Sequence, residues 1–210
     1  MSQIFNFLFE QYSSYDSKDI FLEITAVIFG FASVWYSKKN NILVFPTGLV
    51  STSIFVYLLF KWQLIGEMMI NGYYFIMSLY GWYVWTRKVD YEHFTPISRT
   101  TKKEQFAGAI IFIVTLLFVF IIYQFFDMWT GWVAYIDTLT TGLFFVGMWL
   151  MAKRKIENWI FWIIADIISV PLYFYKGLTF SSLQYLGFTI MAIFGLLAWK
   201  KILNNTLQTA

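Results

Sequence analysis

FAGAIIFIVTLLFVFIIYQFF, residues 106–126, contains no Asp, Glu, Lys, Arg or His. A helix needs about 20 apolar residues to cross roughly 30 Å of hydrocarbon, and this stretch reaches that length with no charge to hide. Outward from it lie six further apolar stretches of comparable length, at 20–37, 42–60 and 68–85 on one side and at 132–152, 159–175 and 183–199 on the other. The segments between them alternate in charge. One set carries Lys38, Lys39, Arg87, Lys88, Arg99, Lys102, Lys103, Lys153, Arg154, Lys155, Lys200 and Lys201, twelve of the fifteen basic residues, and the other set only Lys18, Lys61 and Lys176. By the positive-inside rule this asymmetry puts the N-terminus outside and the C-terminus in the cytoplasm. The expectation is an all-α membrane protein with seven transmembrane helices, multi-pass in the cytoplasmic (inner) membrane.

Composition agrees. The chain is 59% hydrophobic, 23% aromatic and 13% charged, with mean hydropathy +0.62, more apolar surface than a soluble monomer can keep from water. Lipid is therefore the expected solvent and the bilayer a partner. The net charge of +3 resides in short juxtamembrane clusters that set topology and meet anionic headgroups, so no nucleic-acid partner is expected. Cysteine is absent, which excludes disulfides, thiol chemistry and Cys-ligated metal. Residues 1–19 lack a basic n-region and a small-residue cleavage site and read as an external segment, with the run at 4–9 suited to the outer interface.

Sliding the chain against itself by 114 positions sets Glu23 on Asp137, Trp35 on Trp149, Gly81 on Gly195 and Trp85 on Trp199. Around the second helix of each half the best match shifts to 117, as if three residues were inserted, setting Asn41 on Asn158 and Phe45 on Trp162. The first three stretches thus pair with the last three. The organisation expected is 20–85 as one three-helix repeat, 86–131 as a cytoplasmic loop with a linker helix, 132–199 as the second repeat, and 200–210 as a cytoplasmic tail. Three crossings reverse direction and the linker restores it, so this 3+1+3 arrangement makes the repeats parallel. Parallel repeats are a transporter architecture that binds substrate near the midplane between halves.

Soluble-type catalysis finds little support. The single histidine, His93, lies in the loop at 89–105, which disfavours a His-rich metal or haem site and a Ser-His triad. No stretch carries a central lysine for a Schiff-base chromophore. No catalytic residue, metal or cofactor is expected. The spans do hold acids, Glu23, Asp137 and Asp166, with Glu67 opening the third. Each costs at least ~2.5 kcal/mol at membrane depth and is a functional candidate by default. Glu23 and Asp137 lie one turn into their helices, where headgroup depth explains them as well as a cavity does. Asp166 is about 10 Å into the sixth helix at roughly 1.5 Å per residue and needs a cavity or polar partner.

Asn158, Trp162 and Asp166 recur every four residues and share one helical face, reading amide, indole, carboxylate. A flat, cationic, hydrogen-bonding solute suits that face. The candidate substrate site also takes Phe45, Asn71 and Tyr73 from the first half and Gln184 and Tyr185 from the second. Trp35, Trp149 and Trp199, beside basic clusters, read as an interfacial belt. Pro46 and Pro171 are expected to kink their helices.

At Lys155-Ile156-Glu157-Asn158-Trp159-Ile160-Phe161-Trp162, with Ile168-Ser169-Val170 following, and at Tyr80-Gly81-Trp82-Tyr83-Val84-Trp85, the sequence resembles the PnuC vitamin-transporter family. Members are similar in fold to the SWEET sugar transporters. The resemblance implies facilitated uptake of nicotinamide riboside, with cytoplasmic phosphorylation trapping the product. Carried over by position, it implies a substrate site of Asn158, Trp159, Trp162, Asp166, Asn71 and Gln184. Asp166 stands where better-known riboside carriers have Asn, and Asn71 where they have Gln. A carboxylate suits a pyridinium and equally the thiazolium of thiamine, the alternative substrate. A membrane-embedded enzyme or a receptor is the alternative from another class, and a homo-oligomer is compatible with the sequence.

Overall fold

The computed structural model describes residues 16–62, 65–87, 95–127, 129, 131–176 and 179–209. His93 and the run at 4–9 lie outside the described residues. Among the described residues seven helices follow one another: α1 (Ser17–Lys38), α2 (Val44–Lys61), α3 (Ile65–Thr86), α4 (Lys102–Phe125), α5 (Trp132–Ala152), α6 (Asn158–Tyr175) and α7 (Thr179–Thr209). Helix is what lipid demands, since every backbone N–H and C=O must find its partner within the segment. Asp16 caps α1, Thr101 and Glu104 form a capping box at α4, and Gly131, at φ 115°, supplies the turn into α5. Helix α7 continues past residue 199, so the expected tail is helical through Thr209.

Six of the seven helices are long and apolar enough to cross a membrane; α3 is as long, but its hydropathy is lowered by Asn71 and its Tyr and Trp residues. Polarity runs inside out relative to a soluble bundle. Phe106, Ile121 and Phe125 on α4 are exposed by 71%, 63% and 79%, whereas Thr115, Thr140, Asp166 and Ser169 are buried. Such a surface fits a multi-pass membrane protein.

The principal contacts form a closed ring in the order α1, α2, α3, α5, α6, α7 and back to α1, with α4 attached to α5. The two halves meet at α1 with α7 and at α3 with α5. At one end of the ring, the α1–α2 and α5–α6 turns share one hydrogen-bond scheme displaced by 114 residues. Asn41 N–H donates to Tyr36 O as Lys155 N–H does to Leu150 O, and Asn40 and Arg154 take φ values of 52° and 55°. Both turns have the same length, so no three-residue insertion exists. The offset of 114 continues through the second helices, and Phe45 corresponds to Trp159, not to Trp162.

That end carries the basic turns and is cross-braced by aromatics. The Trp85 indole N–H donates to Met151 O at 3.3 Å, and the Trp199 N–H donates to Ser37 O at 2.9 Å, a reciprocal pair under the same displacement. Phe45 sits edge-on to Trp85, and Trp159 edge-on to Trp199. Gly81 and Gly195 provide the seats: a Cβ would lie 2.6 Å from Phe45 Cζ at the first and 2.6 Å from Trp159 Cζ3 at the second. Trp199 is therefore a fully buried core residue rather than part of a belt, because α1 and α6 close over it. Trp35 does lie at the surface, 45% exposed under Lys38 and Lys39.

The segment 95–101 straps this end. Ser98 bridges the α5–α6 turn, Lys153 and Lys155 pair with Glu104 at 2.9 and 3.0 Å, and Arg154 lies over the Trp85 ring while donating to Thr95 O. At the opposite end, Lys61 pairs with Asp19 and Lys176 with Asp137. Pro46 lies in the first turn of α2, where N–H groups have no intrahelical partner, and it removes no ladder bond there; Pro171 is interior to α6 and does.

Candidate functional site

A cavity of about 210 Å³ lies within the ring of helices. Where α1 faces α2, the wall carries the small residues Ala26, Gly30, Gly48 and Thr52. The positions 114 later are Thr140, Phe144, Trp162 and Asp166. The halves are thus complementary: one vacates the space, and the other fills part of it with a ring and a carboxylate. Interhelical hydrogen bonds from Ser33 to Val44 O and from Ser51 to Ala26 O, both 2.8 Å, hold α1 close to α2 behind the small residues.

Asp166 is 2% exposed, lines this cavity, and makes no hydrogen bond or ion pair among the described residues. It lies near the middle of α6, about 12 Å from the helix start at 1.5 Å per residue. One turn earlier, Trp162 lines the same cavity, with Tyr74 at 6.2 Å and Phe144 at 5.5 Å between ring centroids. Trp159 joins the lining at the basic end, and Asn71 and Gln184 line the opposite side. Asn71 donates one amide hydrogen bond to Glu67 O at 3.0 Å.

Four sequence candidates fall elsewhere. Phe45 is fully buried against Gly81 and Trp85 and does not line the cavity. Tyr73 stacks on Phe145 at 3.8 Å and donates its hydroxyl to Phe145 O at 2.9 Å, which turns it away. Asn158 is fully buried at the start of α6, where it donates to Lys155 O at 2.6 Å and shapes the turn. Tyr185 belongs to an adjoining cavity. The reading of the sequence misses the lining residues Ser78, Phe55 and Phe188, and it puts Tyr73 in the site where the neighbouring Tyr74 lines the cavity. Tyr74 had a usable signal, since it lies three residues from Asn71 on one face of α3.

A carboxylate, an indole and two amides facing one cavity can hold a small, flat, positively charged or polar solute. Among the described residues, no cluster of His, Cys, Asp or Glu is arranged to hold a metal. A ring of helices with an apolar outer surface around an internal cavity that holds a buried carboxylate is the arrangement of a membrane transporter.

Comparison with known proteins agrees. A family model described as nicotinamide mononucleotide transporter matches residues 20–201. The chain belongs to that family. It is 23% identical over 205 residues to the nicotinamide riboside transporter PnuC of Escherichia coli K12, covering 85% of this chain and 84% of that protein. It is 24% identical to PnuC of Neisseria mucosa (89% and 74% covered) and 22% identical to the riboflavin/roseoflavin transporter RibM of Streptomyces davaonensis (90% and 89%). A crystal structure of the vitamin B3 transporter PnuC superposes with a TM-score of 0.67 at 21% identity, covering 95% of this chain and 89% of that one.

Proposed function

We propose that this chain is a facilitative carrier of nicotinamide riboside, taking the pyridinium ring against Trp162 with its charge facing Asp166. The observation that carries the reading is the buried Asp166 carboxylate, without a hydrogen-bond or ion-pair partner among the described residues, beside an indole in an internal cavity. An isolated carboxylate at that depth is costly, and an incoming cation offsets the cost. The same chemistry argues against the mononucleotide. Among the described lining residues of this cavity there is no Lys, Arg or His, so a phosphate would face Asp166 with no counter-charge. Riboflavin, carried by one relative, has no cation to offer Asp166. Thiamine, whose thiazolium is cationic, remains the second reading on the same carboxylate.

The unbroken displacement of 114 residues supports two parallel three-helix repeats with α4 as linker, in a SWEET-like 3+1+3 arrangement with α3 as the seventh span. The twelve-to-three division of basic residues supports an external N-terminus and a cytoplasmic C-terminus in the cytoplasmic membrane. No coupling-ion site enters the reading; net uptake follows the gradient, and cytoplasmic phosphorylation maintains it. Counterflow in proteoliposomes tests this. Labelled nicotinamide riboside should accumulate in vesicles loaded with unlabelled riboside and not in vesicles loaded with thiamine or mononucleotide at equal concentration. Counterflow driven by thiamine alone would transfer the assignment to the second reading.

A further inference from the structure

A second cavity, of about 350 Å³, lies toward the end opposite the basic turns and is bounded by α2, α3, α4, α5, α6 and α7. It shares Phe55, Asn71, Tyr74, Gln184 and Phe188 with the Asp166 cavity, and these residues form the partition between the two. Resting on the transport reading above, we propose that this second cavity is a distinct binding subsite for the same chemical class, a flat organic cation, loaded in series with the Asp166 cavity.

Three independent observations carry it. First, aromatic rings run without a break from one cavity into the other: Trp162 to Phe144 at 5.5 Å, Phe144 to Tyr185 at 6.0 Å and nearly parallel, and Tyr185 to Tyr173 at 4.8 Å. A planar cation moving along such a rail exchanges one aromatic face for the next and never loses its stacking partner. Second, Ser169 lines the cavity, is 1% exposed, and has a hydroxyl with no hydrogen-bond partner. A buried hydroxyl left unpaired costs roughly 1–3 kcal/mol, which a polar ligand atom removes. Third, among the described lining residues the charged groups are Glu67, Asp137 and Lys176, and Lys176 is already paired with Asp137. The surplus is one carboxylate, which favours a cation over an anion.

The subsite also gives α4 a role. Val119 and Tyr123 of this unmatched helix wall the second cavity, while α4 contributes nothing to the lining of the first. The displacement of 114 sharpens the asymmetry: Phe144, Ser169 and Tyr173 correspond to Gly30, Phe55 and Leu59.

The test is isothermal titration of the full-length protein in nanodiscs with 1-methylnicotinamide, a pyridinium cation without ribose. Two equivalents should bind. Tyr173→Leu should weaken one event by about tenfold, as loss of a stacking face does, and leave the other; Tyr173→Phe, which keeps the ring, should retain both. Trp162→Ala should weaken the other event alone. Tyr185→Leu serves as the second variant, and melting curves of each protein in nanodiscs confirm folding. A single equivalent lost on Trp162→Ala would overturn the subsite while leaving the carrier reading intact. An event lost on Tyr173→Leu but none on Trp162→Ala would overturn the Asp166 site and, with it, loading in series, leaving the second cavity as the one binding site. One event weakened equally by both variants, or no binding at all, would overturn the subsite.

Discussion

Replacing Gly195 by alanine adds one methyl group where the structure leaves no room. The new Cβ would lie 2.5, 2.6 and 2.7 Å from three ring atoms of Trp159, closer than carbon atoms approach. Trp159 is 2% exposed and edge-on to Trp199, so its indole cannot swing aside without moving the cross-brace. Overpacking of this kind costs roughly 1–3 kcal/mol, while Gly→Ala in a helix gains at most about 1 kcal/mol. Gly72→Ala is the internal control, because nothing lies within 4 Å of its added Cβ. The helix gain cancels between the two variants, so their difference reports the contact: about 1–3 kcal/mol, several degrees in melting midpoint. Because Trp159 also lines the Asp166 cavity, its displacement should weaken riboside binding in Gly195→Ala and not in Gly72→Ala. Thermal unfolding in nanodiscs, with and without riboside, measures both. Equal midpoints for the two variants would refute the packing argument, and unchanged affinity in Gly195→Ala would sever Trp159 from the cavity.

Trp162→Ala should weaken riboside binding by about 1–3 kcal/mol, the value of stacking on an aromatic face, whereas Trp35→Ala, at the surface under two lysines, should leave affinity unchanged; titration of both proteins checks this. In this cysteine-free chain, Asp127→Cys should react with an impermeant maleimide applied to intact cells, and Asn41→Cys should react only after permeabilisation. Labelling of both from outside would contradict the orientation drawn from the basic loops.

The helices are legible because lipid imposes one condition, an apolar run of sufficient length, and the 106–126 stretch satisfies it in its plainest form. Register in the second helices is not. Residue identity favours setting Phe45 on Trp162, yet the Asn40 and Arg154 turns close the same hydrogen-bonded loop, and backbone geometry rather than side-chain likeness decides which positions correspond. Tyr73 and Tyr74 pose the same difficulty on a finer scale. Adjacent helical residues point about 100° apart, and only the presence of Phe145 on α5 determines that Tyr73 stacks away while Tyr74 faces the cavity. Trp199 reads as interfacial because Lys200 and Lys201 follow it; its burial depends on Gly195 admitting Trp159, a contact between helices. The pairing of Asp137 with Lys176 joins α5 to the end of α6 and is likewise tertiary. Asp166 was readable, since its cost at mid-helix demands a cavity, and a cavity is there.

The carboxylate of Asp166 is the centre of the account, and Asp166→Asn removes its charge while keeping its shape. The deciding measurement is a pair of affinities, for nicotinamide riboside and for its neutral dihydro form, on purified parent and variant proteins. Part of the riboside affinity should survive, since stacking on Trp162 is untouched. The preference for the cation over the neutral form should nonetheless fall by about tenfold or more, ~1.4 kcal/mol. Equal losses for the two ligands would contradict charge recognition and reduce Asp166 to a residue of helix packing.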